Sequence, residues 1–411
     1  MGPARPSRGG VDYCHMDGKV ASIIGRRPLW RAKNADRRRR TISRMPFPCP
    51  AGPGPETWLE PCARRACAAA LYLLIATASL APLLALAQEA PATPVGLQRA
   101  VTFTEYSPLS ANLEIVRRLY SPLVAAEIRK SAARAPKPLP EQSVDLAQER
   151  FAVYVPARRP PDGYSLLVFV PPWQEAGLPR VWAEVLDRYG VIFVSAARSG
   201  NDEHVFRRRA PLALLAAHNI LQRYGVNRDH VYISGFSGGS RVALRLALGY
   251  PDLFRGALLN AGSDPLDLGP LIIPPKELFA RFQETTRIVY VTGERDAENL
   301  SLDGGSRQSM RHWCVFNVDT ELVPRVGHSL ATAAALSDAL RLLLGPPTTT
   351  AGRLPACRAE IAHGLDAQLD KVQSLTAAGE RSAARKLLLD IDRRFGGLAA
   401  PRSLELRAAL D

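Results

Sequence analysis

The stretch Ile233 to Arg241, "ISGFSGGSR", decides how this chain is read. It closes an apolar, β-branched run that starts at His230 and opens a segment of helical period that runs to Tyr250. Gly235, Phe236, Ser237, Gly238 and Gly239 form a complete G-x-S-x-G. Between a strand and a helix, that pattern places a serine on a sharp turn where its hydroxyl is presented as a nucleophile. The plainer reading is a glycine-rich corner. Glycines at both ends of the pentad remove side chains that would collide with neighbouring elements where the backbone is strained. Rival glycine motifs fail: no Lys-Ser/Thr follows, and the spacing is not G-x-G-x-x-G.

Outward from this turn, the texture is that of strands buried on both faces. The runs 165–171, 191–197, 230–235, 256–262, 287–293 and 314–319 are continuously apolar or β-branched, and 150–156 alternates. Helix-period segments fall between them at 179–190, 209–225, 239–250, 275–282 and 329–344, the first two ending on Gly190 and Gly225 as C-cap signals. Alternation at this spacing predicts βαβ units in a mostly parallel sheet covered by helices on both faces, with seven strands over 149–346. Upstream, 88–148 reads as a Pro/Ala linker and a helical segment that Pro122 should split. Downstream, "GPPTTTAGRLP" (345–355) reads as a linker, and 347–411 as a linker followed by a small helical appendage. Its apolar stripes, Ile361, Leu365, Leu369, Val372 and Leu375, then Ala384, Leu387, Leu388 and Ile391, flank a turn at "AAGE". This looks like one helix–turn–helix unit of the tetratricopeptide kind. A single unit cannot bury its own core, so it should pack on the body or on a protein partner.

Chemistry in open α/β sheets collects at the carboxyl ends of the strands. A serine needs a base and a group to orient that base, and for this kind of turn the chain order is Ser, Asp/Glu, His. Asp296 follows the run 287–293, with Asp264, Glu294 and Asp303 as competitors. His328 follows the last run and precedes a helix; His204, His218, His230, His312 and His363 do not have that placement. The oxyanion site needs two N–H donors. Gly238 supplies one. The loop after 165–171 reads Pro171, Pro172, Trp173, and prolines have no N–H, so Trp173 is the first available donor; a packed aromatic is the alternative. Trp173 and Phe236 would wall the substrate pocket. Phe206 with Arg207, Arg208 and Arg209 would either receive an anionic group or form a solvated run.

The 411 residues are 46% hydrophobic and 22% charged, an ordinary globular balance, yet the formal net charge is +14. Residues 1–65 carry 14 Lys/Arg against 5 Asp/Glu, whereas the chain from Gln88 carries 39 against 34, so the basicity belongs to the leader and excludes a nucleic-acid role for the body. Residues 1–63, including the arginine run 37–40, read as disordered or as an over-extended gene model, with translation expected to begin at Met45 or further in at a non-Met codon. Residues 64–87 read as a signal peptide: two arginines, an uncharged stretch over 66–87, and Ala85-Leu86-Ala87 as the cleavage site. An uncleaved membrane anchor is the rival, and the only membrane association expected. Export to the periplasm or beyond makes Cys314 and Cys357, the two cysteines after the leader, a candidate disulfide.

The segments "VYISGFSGGSRVALRLALGYPDLFRGALLNAG", "IVYVTGERDAEN" and "VPRVGHSL" resemble the α/β-hydrolases, specifically the exported poly(3-hydroxybutyrate) depolymerase and feruloyl-esterase-like serine esterases. The resemblance covers about residues 150–346. It implies an α/β-hydrolase fold, Ser237 as nucleophile, His328 as base, Asp296 as its orienter, an ester substrate, and neither metal nor organic cofactor. The chain departs from many such relatives at Pro171-Pro172, where they carry His-Gly. A prolyl-oligopeptidase-type peptidase and a non-catalytic scaffold with a partner-binding appendage are the alternatives; 88–149 is too short for a propeller.

Overall fold

The computed structural model describes residues 94–266, 270–346 and 352–411, and in it the apolar runs form one eight-stranded sheet. The leader with its arginine run, the uncharged stretch 66–87, the four leader cysteines and part of the linker after residue 345 lie outside the described residues. The strands are β1 (Gly96–Val101), β2 (Phe151–Val155), β3 (Tyr164–Val170), β4 (Val191–Ala196), β5 (Val226–Phe236), β6 (Gly256–Asn260), β7 (Arg287–Gly293) and β8 (Val318–Val323). They lie in the order β1-β2-β4-β3-β5-β6-β7-β8. The pairs β1/β2 and β2/β4 are antiparallel, and every pair from β4 to β8 is parallel. Strands β3, β4, β6 and β7 are buried along their whole length, as their continuous apolar runs required. This is the α/β-hydrolase fold.

The helices are α1 (Asn112–Leu119), α2 (Pro122–Arg134), α3 (Ala183–Tyr189), α4 (Ala210–Arg223), α5 (Gly238–Gly249), α6 (Lys276–Thr285), α7 (Ala297–His312), α8 (Ala333–Leu344), α9 (Leu354–Ala377), α10 (Arg381–Phe395) and α11 (Arg402–Leu410). One face of the sheet carries α4 and α5, with α1, α6 and the last three helices joined to the same core; α3 and α8 cover the other face. Pro122 starts α2 and divides it from α1, because proline fits the first turn of a helix but not its interior.

Four expectations are corrected. An eighth strand, β1, lies in the segment predicted as linker and helix, and it covers the outer edge of β2. The strand expected at 314–319 is displaced to β8: Cys314 and Val315 are buried coil, and an apolar run looks the same whether buried in coil or strand. Gly225 is no C-cap, since α4 ends on Tyr224 in extended conformation; Gly190 is one, at φ +62°. Leu354 and Pro355 open α9 rather than ending the linker. Helix α7 was not anticipated, because its Asn, Ser and Gly residues mask any helical period.

The appendage is built into the body. Trp313 meets Phe395 edge-on with ring centroids 5.6 Å apart. Asp392, buried, accepts from the Ser121 hydroxyl and from the Leu123 N–H at 3.0 Å, capping α2. Arg358 donates to Gln283, Glu284 and the Ala280 carbonyl, each at 2.7 Å. Cys314 and Cys357 form a disulfide across 43 residues of chain, tying the end of α7 to the start of α9. Replacing both cysteines by alanine should lower stability by about 2–4 kcal/mol. Denaturant unfolding would show a lower midpoint, and an unchanged one would mean that helix packing alone secures α9.

Candidate active site

Ser237 stands between β5 and α5 at φ +53°, ψ −121°, a backbone region that L-residues avoid at a cost of about 1–3 kcal/mol. The flanking glycines are required by close approach. A Cβ on Gly235 would lie 2.3 Å from the Gly239 carbonyl carbon, and one on Gly239 would lie 2.0 Å from the Val170 carbonyl oxygen. The Ser237 N–H donates to the Asn260 carbonyl at 2.9 Å, holding the turn against the end of β6.

His328 and Asp296 reach the serine from two later loops. His328 Nε2 lies 3.1 Å from Ser237 Oγ, and His328 Nδ1 lies 2.7 Å from Asp296 Oδ2. The Asp296 contact fixes the tautomer: Nδ1–H donates to the carboxylate, so the Nε2 lone pair faces the serine hydroxyl. Asp296 is 7% exposed and caps α7, whereas the His328 side chain is 42% exposed, so the site opens to solvent on the histidine side. Burial pushes the Asp296 carboxyl up, but hydrogen bonds from Asn299 and His328 outweigh it and leave its pKa below the usual value.

The competing carboxylates are engaged elsewhere. Asp264 pairs with Arg241 at 2.7 Å. Asp303 accepts from the Ser263 and Thr292 hydroxyls at 2.6 and 2.5 Å. Glu294 accepts from the Arg325 N–H at 2.7 Å, bracing the turn that leads to His328. Among the other histidines, His204 accepts N–H groups of Phe206 and Arg207, and His230 stacks on Tyr232.

Gly238 opens α5, and helix N-terminal N–H groups have no intrahelical acceptor, so its N–H is free to meet an oxyanion. The loop Pro171–Trp173 lacks two donors but is anchored through its carbonyls. Pro171 accepts from buried Arg209 at 3.0 Å, and Pro172 accepts from the Asn201 N–H at 3.0 Å. The Trp173 N–H has no acceptor among the described residues. The Trp173 ring packs on Phe169 and Phe236, and Phe236 covers His328 with centroids 4.9 Å apart. Of the Arg207–Arg209 run, Arg208 is spent on a two-pronged pair with Glu149, and only Arg209 faces the cleft beside Gly238.

Two asparagines escaped sequence reasoning. Asn299, 8% exposed, donates Nδ2 to both Asp296 oxygens at 3.0 Å and so steadies the carboxylate from behind. Asn260 accepts the Ala331 N–H at 2.7 Å and donates to the Val291 carbonyl at 3.0 Å. The signal for Asn260 was present: a lone amide closing the apolar run "GALLN" is a buried polar group in need of partners.

No family profile matches the chain, and no curated protein matches its sequence. Solved structures do. A ferulic acid esterase is 18% identical over 47% of this chain and 91% of its own, with a TM-score of 0.37. An acetyl xylan esterase from Aspergillus awamori is 13% identical over 48% and 94%, at 0.37. A fluorophosphonate-binding serine hydrolase F of Staphylococcus aureus is 13% identical over 48% and 93%, at 0.39. Likeness at this level assigns no activity.

Because the folded Asp296 pKa lies below its unfolded value, its charge contributes stability that is fully present above about pH 4 and is lost as pH falls through the lower folded value. Wild type should therefore exceed Asp296→Asn in denaturant midpoint at pH 6, with the gap narrowing below about pH 4. A gap that does not vary with pH would contradict this account of the carboxylate.

Proposed function

We propose that this chain is an exported serine hydrolase that cleaves carboxylic esters through an acyl-enzyme. The observation that carries the proposal is the contact sequence Ser237 Oγ to His328 Nε2 at 3.1 Å and His328 Nδ1 to Asp296 at 2.7 Å, at a strained turn opening a helix. Ser237 Oγ attacks the ester carbonyl carbon while His328 Nε2 takes the hydroxyl proton. The Gly238 and Trp173 N–H groups receive the developing oxyanion. Collapse of the tetrahedral intermediate breaks the bond to the alcohol, which leaves with the proton held by His328. Water then attacks the acyl carbon, giving a proton to His328, and Ser237 regains its proton as the acid departs. Asp296 stays ionised throughout, holding the ring and stabilising the imidazolium.

Support for export comes from the signal-like stretch 64–87 and from the disulfide, which persists in oxidising compartments. Among the described residues no helix is long and apolar enough to cross a membrane. The 3.1 Å contact between base and nucleophile weighs against a fold kept only as a scaffold. Wild type should hydrolyse short p-nitrophenyl esters and be labelled by a neutral fluorophosphonate, and Ser237→Ala should lose the label and more than about a thousandfold in kcat. A folded wild type that neither labels nor hydrolyses would sink the proposal.

A further inference from the structure

Beside the turn that carries Ser237 lies a cleft of about 310 Å³ lined by Asn201, Arg209, Gly238, Arg241, Arg245 and Asp264 among others. Its electrostatics are unbalanced. Three guanidinium groups face one carboxylate, Asp264, and Arg241 already occupies that carboxylate at 2.7 Å. Arg209 is 3% exposed and Arg245 8% exposed, and neither has an ion-pair partner among the described residues. Arg209 spends two donors on the Ser199 and Pro171 carbonyls. Arg245 spends one on the Pro270 carbonyl at 3.1 Å, and its buried Nε has no hydrogen-bond partner among the described residues. The Phe206 ring lies 5.4 Å from the Arg245 guanidinium, a cation–π contact that adds no counter-charge.

Burial and the neighbouring Arg245 charge pull the Arg209 guanidinium down to about 10. Burial also lowers Arg245. Asp264 and Glu203 lie near enough to favour the charge on Arg245 and Arg209 respectively, but neither pairs directly with them, and buried charge without a direct partner is costly to keep. A planar guanidinium with open donors matches a carboxylate better than any other side chain does. The cleft also touches the reacting centre. Gly238 belongs to both, and a Cβ on Gly238 would lie 2.3 Å from Asn201 Oδ1 on the cleft wall.

We infer that this cleft is a subsite for a carboxylate, so that the substrate is an ester bearing an anionic group near the scissile carbonyl, held by Arg245 with Arg209 and Arg241 around it. The inference rests on the hydrolase reading above and deepens it.

The test uses the full chain and two matched substrate pairs. p-Nitrophenyl adipate, with its carboxylate on the acyl side, is compared with p-nitrophenyl hexanoate. 4-Acetoxybenzoate, with its carboxylate on the leaving group, is compared with its methyl ester. In wild type the anionic member of one pair should be favoured at least about tenfold in kcat/KM, and which pair responds tells which side of the ester the cleft holds. Arg245→Met should collapse that ratio toward one, and Arg245→Lys should retain part of it. If Arg245→Met does not fold, the more exposed Arg241→Gln reads the same ratio. No anion preference in either pair overturns the inference, as does a preference that Arg245→Met leaves intact. Fluorophosphonate labelling separates the two claims: a labelled protein without anion preference loses only the subsite, and an unlabelled one loses both.

Discussion

The hydrogen bond from the Ser237 N–H to the Asn260 carbonyl, at 2.9 Å, holds the serine in a conformation it would not adopt alone. The same residue does more through its side chain. Its Oδ1 receives the Ala331 N–H beyond His328, and its Nδ2 donates to the Val291 carbonyl in the next strand. Asn260 is 1% exposed, so all of these bonds form where water cannot replace them. The end of β5, the end of β7 and the histidine loop are thereby referenced to one buried asparagine, through its main-chain carbonyl and its side-chain amide. The serine-to-histidine distance is a consequence of that arrangement and of the Asp296 contact, with no need for the exposed histidine to be packed on every side.

Most of the sheet could be read from the chain because strands buried on both faces must be apolar throughout, as in β3, β4, β6 and β7. The turn at Ser237 was legible for the same kind of reason: steric crowding leaves only glycine at positions 235 and 239. The order of serine, acid and histidine then singled out Asp296 and His328, which the structure places 2.7 Å apart, with His328 3.1 Å from Ser237. Edge strands were not legible. β1 and β8 are half-exposed, and their mixed residues carry no continuous pattern. Nor was α7, whose stability comes from the Asp296 cap and from the buried polar contacts of Asp303 and Ser306 rather than from an amphipathic period. Asn299 could not be found, because its role depends on which way α7 turns after Asp296.

The Pro171-Pro172 pair shows how a loop can lose two backbone donors and still be fixed. Its carbonyls are the anchoring groups, one held by Arg209 and the other by the Asn201 N–H. Arg209 therefore links the geometry of this loop to the electrostatics of the neighbouring cleft. The basic character that matters to the body is local, three arginines around one carboxylate, and is not visible in the near balance of charge downstream of Gln88.

The bond between Ser121 and Asp392 spans 271 residues of chain. At ribosomal rates of about 5–20 residues per second, roughly 14–54 s separate the synthesis of its two ends. Through that interval the start of α2 lacks the carboxylate that caps it, and for the last part of it Trp313 lacks Phe395. Closing so long a loop adds little entropy cost over a shorter one, because that cost grows only logarithmically with length. The burden falls on time: a chain that emerges N-terminus first, with its sheet complete before α10 arrives, carries an unroofed apolar surface, and it is in that state that it is most exposed to association with other chains.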